Sequence, residues 1–409
     1  MTHTTNASSS APEERGGMCG LDGFASGSWG DCARTAASYP GETAFLDERA
    51  AGAACDFIGL SADLRVALLA DLPPYARQPQ LRRAVWHCRA LLAADDFDIK
   101  EVASWPMPTP KGGADQFYAL VVLSLVERTC ERHAARGIPP SVTRETLFDL
   151  EVWARDYAVR HGVPGFAQIG WLANHVTGRL VALGRLQYLV DRFPFDAGVF
   201  RHAATGELCV LAPGGVRYRA DGQYDGIGGV HDPDAKTTVF EEQYGMVRGN
   251  RITRDGRISG ETTLSGDWQR AVTKGASAFS VHIPAGVPLG RTACEASLAR
   301  ADRLLPQYFP EHELNAYFSD SWLYDNTFAA ILPPMSNIVQ FQSLFHLVPL
   351  AYASDNQMFE RVFGRRYERI EEAPQKTALQ KAIVAHAKSG GHFHHAGMLR
   401  TAPSVADAA

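Results

Sequence analysis

Residues 278–290 read Ala278-Phe279-Ser280-Val281-His282-Ile283, then Pro284-Ala285-Gly286-Val287-Pro288-Leu289-Gly290, before Arg291 opens a new pattern. The first six residues are rich in β-branched and aromatic side chains, as in a strand. The next seven are mostly small residues and prolines, as in a loop. From Thr292 to Leu305 apolar residues recur at helical spacing. This order sets the free N–H groups and the positive dipole end of a helix at the end of a strand. Such a place accepts a phosphate, and small loop residues let it approach the backbone closely. Arg291 in the first turn adds a charge-assisted contact. An ordinary strand-to-helix connection carries the same pattern, so the flanking segments decide between the two.

Downstream, Leu314–Ser319 predicts a strand, followed by the turn Asp320-Ser321-Trp322. A short helix is expected over Asp325–Leu332, ended by Pro333-Pro334, and a long alternating strand over Ile338–Val348. Helices are expected over Asp355–Phe363, stopped by Gly364, and Thr377–Lys388, stopped by Gly390-Gly391; a short strand around Met398-Leu399 closes the sheet. Upstream, Thr205-Gly206, Asp221-Gly222 and Asp255-Gly256 punctuate short apolar stretches as hairpin turns. From about 46 to 190 the signal is helical. Ser61 is a candidate N-cap before Leu64 and Leu68, Phe117–His133 is apolar on nearly every face, and Trp171–Val190 reads as an amphipathic helix. Residues 1–45 are rich in Ser, Gly, Ala and Thr, a composition that predicts disorder. The expected organisation is α+β: a disordered extension over 1–45, an all-helical domain over 46–194 and a β-rich domain over 195–409.

The bulk composition narrows the function classes. The 409 residues carry 40 basic and 45 acidic side chains, a net charge of −5. This balance gives no electrostatic reason to expect a nucleic-acid or membrane partner. No apolar run reaches the roughly 20 residues that span a bilayer, and no secretory signal pattern opens the chain. Seven scattered cysteines without a Cys-x-x-Cys pair fit reduced thiols, hence a cytoplasmic protein, and argue against a cysteine zinc site. His392-Phe393-His394-His395 lacks a companion ligand motif and reads as a solvated loop, so no metal is expected. Cys294 sits near a helix start without an adjacent histidine and reads as a packed thiol. There is no Gly-x-Ser-x-Gly elbow for a hydrolase.

Several stretches carry a resemblance. They are Gly184-Arg185-Leu186-Gln187, Asp221–Gly226, Val281–Gly286 with Pro288-Leu289, Cys294–Leu298, Ser321-Trp322-Leu323 and Ser336–Gln342. Over residues 55 to 400 the chain resembles a bacterial family of two-domain acyltransferases. That family joins a helical N-acyltransferase N-terminal domain to a GNAT-like C-terminal domain. The resemblance implies an all-helical domain packed on a GNAT-like mixed β-sheet domain. It also implies a site in which two neighbouring parallel strands part, so that the pantetheine arm of a coenzyme A thioester pairs with free strand backbone. The usual GNAT cradle, Arg/Gln-x-x-Gly-x-Gly/Ala, is replaced here by Pro284–Arg291.

The site residues follow from both readings. Ile283, Gly286, Leu289, Gly290 and Arg291 are expected to hold the coenzyme A moiety. Asn326 joins them, because Asn326-Thr327-Phe328-Ala329 is similar to the Asn-x-x-Ala start of a GNAT helix. The tyrosine that often follows on that helix is Pro333 here, so Tyr324 is the candidate general acid. His282, at the end of the presumed parted strand, is the candidate base. A half-buried strand histidine satisfied by its neighbours is its structural alternative. Asp225 is a second candidate base, and Asp221 and Gln223 candidate acceptor ligands, unless Asp221–Gly226 is turn chemistry alone. Arg185 and Trp322 are candidate substrate contacts, with interface pairing and core packing as their structural alternatives. The expected function is transfer of an acyl group from a coenzyme A or acyl-carrier-protein thioester to a small amine acceptor by direct attack. The alternative is a non-catalytic ligand-binding protein on a degenerate GNAT scaffold.

Overall fold

The computed structural model describes residues 33–41, 44–106, 116–352 and 355–403. The disorder expected over 1–45 therefore lies largely outside the described residues. Where they begin, Ala33–Ala36 forms a helical turn with Thr35 buried. The chain divides into two compact units: residues up to Cys130 with Leu147–Thr177, and Glu131–Thr146 with everything from Gly178 onward.

Helices build the first unit and the segment that passes into the second. They are α1 (Glu48–Ile58), α2 (Ala62–Arg77), α3 (Pro79–Ala93), α4 (Phe117–Leu123), α5 (Val126–Ala135), α6 (Pro140–Leu147), α7 (Asp149–His161) and α8 (Ile169–Val176). Asp47 caps α1 by accepting from the Arg49 N–H, and Gly59 closes it in the left-handed region at φ +82°. Every residue of α4 is buried, beside Leu68, Val85, Cys88 and Leu92. The Asp149 carboxylate accepts indole N–H bonds from Trp153 (3.2 Å) and Trp171 (2.7 Å), which satisfies a charge inside the apolar core.

Three helical expectations change. The long buried helix breaks at Ser124-Leu125, because the Ser124 hydroxyl turns back to the Val121 carbonyl and Arg89 takes the Ser124 carbonyl out of the ladder. Ser61 does not cap α2; its N–H and hydroxyl both donate to Glu151. The helix expected over Trp171–Val190 stops at Val176, before Gly178 at φ +72°. Beyond it the chain forms β1 (Leu180–Ala182) and β2 (Gln187–Arg192), a hairpin turned at Gly184. A short apolar run fits strand and helix alike, and tertiary pairing decided it. The second unit thus starts at Gly178 rather than 195, and it also takes Glu131–Thr146.

The remaining strands are β3 (Gly198–His202), β4 (Leu208–Leu211), β5 (Arg217–Tyr218), β6 (Lys236–Thr237), β7 (Phe240–Gln243), β8 (Met246–Ile252), β9 (Ile258–Leu264), β10 (Trp268–Val272) and β11 (Ser277–His282). Then come α9 (Arg291–Tyr308), β12 (Ala316–Ser321), α10 (Thr327–Ile331), α11 (Asn337–Gln342), β13 (His346–Pro349), α12 (Asn356–Phe363), α13 (Ala378–Lys388) and β14 (Ala396–Thr401). The strand expected over Ile338–Val348 is thus α11 followed by the short β13. Ser336 caps α11 by accepting from the Val339 N–H, which fixes the helical start.

One mixed sheet has the order β1-β2-β11-β12-β14-β13, and β11–β12 is its parallel pair. A second, antiparallel sheet runs β10-β3-β4-β8-β7 with β9 on β8, and β5–β6 form a small ribbon. One face of the mixed sheet packs Tyr188, Phe279, Val281 and Tyr317 against Leu298 and Leu305 of α9. The other packs Ala278, Phe318 and Leu399 against Val199, Val210 and Ile252 of the second sheet. Gly397 makes this contact possible, since a Cβ there would stand 2.6 Å from the Phe195 ring. Asp302 of α9 receives Arg400 in a two-pronged bond (2.8 and 2.7 Å) and the Tyr317 hydroxyl at 2.9 Å, tying helix to sheet. Among the described residues no helix is long and apolar enough to cross a membrane.

Candidate active site

The β11–β12 ladder is two pairs long: Phe279↔Tyr317 and Ser280↔Phe318. Each strand continues on its other side. β11 stays paired with β2 as far as His282↔Gln187, and β12 with β14 as far as Ser321↔Ala396. The facing edges of Val281–His282 and Ser319–Ser321 therefore carry no ladder bonds to each other, and the two strands part at their carboxyl ends. Parallel neighbours that part in this way leave backbone donors and acceptors for an extended, amide-bearing ligand.

Beside the opening lies the loop Pro284–Gly290 and the start of α9. Gly290 occupies the N-cap position and offers no side chain to the first-turn N–H groups. Arg185, at the tip of the β1–β2 hairpin, shapes the loop from outside the opening. Its guanidinium donates to the carbonyls of Pro284 (3.0 Å), Val287 (2.8 Å) and Pro288 (3.1 Å). A trans peptide sets N–H opposite C=O, so the N–H groups of Ala285 and Leu289 are turned away from Arg185. Burial lowers the Arg185 pKa from its ordinary value, yet a guanidinium stays charged. Arg185 is thus a support of the loop rather than a substrate contact. Arg291 reaches Glu295 (2.8 Å), Gln340 (3.3 Å) and Ser343 (3.1 Å) while its side chain stays 46% exposed, within reach of solvent-borne anions.

His282 is half-buried at the last position of β11, with its Nε2 3.1 Å from the Ser280 hydroxyl. Tyr324 is fully buried, and desolvation pushes its hydroxyl well above the ordinary tyrosine range, with a smaller downward effect from Ser319. Gln223, Gly256, Tyr324, Asn326, Leu347 and Ala396 surround one tight gap too small to admit a water molecule, which brings three sequence-predicted residues together. The Asn326 amide donates to the Asp221 carbonyl at 2.9 Å and so anchors the 221–226 loop. Gly222 packs against the Asp255-Gly256 turn: at φ +92°, a Cβ there would stand 2.5 Å from the Gly256 carbonyl.

The carboxylates of that loop are committed to structure. Burial works to raise the Asp221 pKa, but the Gln223 N–H and Arg219 outweigh it and hold it below the usual range. Arg219 also donates to His394 Nε2 (2.7 Å), and the His394 N–H donates to Asp325 (2.6 Å). Asp225 is lowered first by the Asp232 N–H; desolvation works against this, and Arg217 and His231 lower it further. A carboxylate held below its usual range is a weak base. Trp322 is buried against Phe328 and serves as a core anchor.

One pair was missed from the sequence. His395 places Nε2 2.9 Å from Asp320 Oδ2 at the open end of the mixed sheet. The two residues lie 75 positions apart, so no local pattern joins them.

Comparison with known proteins bears on the family and the fold. The family of the GNAT-like C-terminal domain matches residues 180–399, and that of the N-acyltransferase N-terminal domain matches residues 50–178. Among solved structures, an acyltransferase in complex with decanoyl-CoA aligns at a TM-score of 0.57 with 23% identity, over 85% of this chain and 86% of that one. An acyltransferase in complex with decanoyl-CoA and teicoplanin aligns at 0.55 with 21% identity, and one in complex with CoA and 10C-teicoplanin at 0.56 with 21%, both with the same coverage. These likenesses show the fold. No curated protein matches the chain at a significant level.

Proposed function

The chain belongs to the acyltransferase family that joins an N-acyltransferase N-terminal domain to a GNAT-like C-terminal domain, and from that premise we propose that it moves an acyl group from a coenzyme A thioester to a small amine acceptor by direct attack. The observation that carries this reading is the parting of β11 and β12 beside the uncapped start of α9. The pantetheine amides pair with the free strand edges, and the phosphates meet the first turn of α9 and Arg291. Small-residue loop chemistry is retained through Ala285, Gly286 and Gly290, with Arg185 supplying the rigidity.

His282 removes a proton from the acceptor ammonium, and the neutral nitrogen then attacks the thioester carbonyl carbon. A C–N bond forms as the carbonyl π electrons move to oxygen, where strand N–H groups near Ile283 stabilise the charge. Collapse breaks the C–S bond as the tetrahedral nitrogen gives up its second proton to solvent; the thiolate leaves with its electron pair and takes a proton from an acid in the site, which solvent then reprotonates. Tyr324, which keeps its proton at neutral pH, is the donor we favour. Orientation and electrostatics suffice, so no covalent enzyme intermediate is needed. We assign the reaction to the cytoplasm, a reducing compartment, in keeping with the scattered spacing of the seven cysteines in the sequence.

Binding of decanoyl-CoA is expected to raise the melting temperature, since a ligand at a hundred times its Kd stabilises by about 2.7 kcal/mol. Thiol release from decanoyl-CoA, with teicoplanin or simple amines as acceptors, then measures transfer. An acyl-carrier-protein thioester in place of decanoyl-CoA tests the donor. A melting temperature unmoved by millimolar decanoyl-CoA would overturn the assignment.

A further inference from the structure

The register at the end of the ladder sets two side chains at matching positions on the parted strands. The last two ladder pairs, Phe279↔Tyr317 and Ser280↔Phe318, keep a constant offset. Carried two residues further across the opening, that offset sets His282 opposite Asp320. Side chains alternate along a strand, so His282 and Asp320 fall on the same sheet face as Ser280 and Phe318. One lip of the opening therefore presents an imidazole and the other a carboxylate.

Asp320 is not an ordinary surface acid. Its side chain is 56% exposed, while its partner His395 is 9% exposed. His395 gives Nε2 to Asp320 Oδ2 at 2.9 Å, and its Nδ1 is buried without a hydrogen-bond partner. Burying an imidazole nitrogen unpaired costs stability, and an exposed carboxylate gains little from one partner. The pair is therefore poorly explained as a stabilising contact. Its geometric effect is to fix one carboxylate oxygen, while Oδ1 has no hydrogen-bond partner among the described residues.

We propose that Asp320, oriented by His395, binds the ammonium group of the acceptor across the opening from His282. This deepens the acyl-transfer reading and rests on it. Asp320 holds the nitrogen over the thioester carbonyl and is unchanged by the reaction; His282 takes the proton. His395 is a positioning residue that acts through Asp320. The acceptor class is a primary amine that is protonated in solution, because an alcohol gives a fixed carboxylate no charge to bind.

The test uses the full chain with decanoyl-CoA as donor and benzylamine, octylamine and glucosamine as acceptor probes, followed by thiol release. Asp320→Asn is expected to raise KM for the amine about ten- to a hundredfold, with KM for decanoyl-CoA unchanged. His395→Gln is expected to raise the amine KM by less, in the same direction, and Asp320→Glu to restore part of the loss. Asp320 is exposed, so its variants fold even where a His395 variant does not. An unchanged amine KM in Asp320→Asn, with transfer intact, overturns this proposal and leaves the acyltransferase reading standing. No transfer by the unaltered chain to any of the three amines overturns the amine-acceptor reading and this proposal together.

Discussion

The two edges of β12 have opposite fates. Toward β14 it pairs at six successive positions, from Ala316↔Thr401 to Ser321↔Ala396. Toward β11 it pairs at two and then stops. The zipped edge is backed by Asp302, Arg400 and Tyr317, and by the Gly397–Phe195 contact. The parted edge is bordered by His282, the Arg185-held loop and Asp320. Stability is concentrated on one side of a single strand, while the ladder on its other side ends early. A site that must accept a ligand's amides has to leave its own unpaired, so the neighbouring contacts carry the sheet.

Substitutions on the two edges should therefore separate activity from stability. The largest effect is expected at the parted edge. His282→Ala lowers kcat/KM about 10²- to 10⁴-fold in the thiol-release assay, with the urea midpoint nearly unchanged. At the zipped edge, Asp302→Ala leaves Arg400 partly buried without its partner and destabilises by about 3 kcal/mol, read by urea unfolding. Loss of activity without loss of stability in Asp302→Ala would erase the distinction between the edges.

His346 on β13 sharpens the stability side through pH. Burial pushes its pKa down to about 4, while its Nε2 donates to the Ile252 carbonyl at 3.0 Å. The folded chain holds this imidazole neutral, whereas the unfolded chain protonates it near the ordinary value of about 6.5. The stability is therefore full above pH 6.5 and falls as pH drops from 6.5 toward 4. A pH series of urea midpoints should decline across that window, and His346→Gln should flatten the decline. The smallest effect belongs to Arg185→Ala. It raises KM for decanoyl-CoA about tenfold while kcat stays within about a factor of two, measured by initial rates.

Much of this arrangement was readable in the residues. The strand-forming run Ala278–Ile283, the small-residue loop and the helix after it specify their own forms locally, and all three are present. Thr377 with Gln380 forms the capping box that starts α13, and Gly364 closes α12 in the left-handed region. What failed were short apolar runs. Leu180–Val190 and Ile338–Val348 fit two periods, and only their neighbours selected strands in one and a helix with a short strand in the other. The candidate site is contiguous from His282 to Arg291, and there the strand, loop and helix that carry it were legible. It was not legible where strands bring distant residues together. The Asp320–His395 pair depends on β12 and β14 lying side by side, and the duties of Asp221 and Asn326 on a loop folded back to the sheet.

The place of β14 has a consequence for how this chain is made. Its residues 396–401 fill the slot between β12 and β13, so the middle of the mixed sheet is completed only after both of those strands have been made. Until then both β12 and β13 lack their common neighbour, and their bare edges are open to pairing with other nascent chains. Yield in the cell should therefore depend on how quickly that later strand is captured between them.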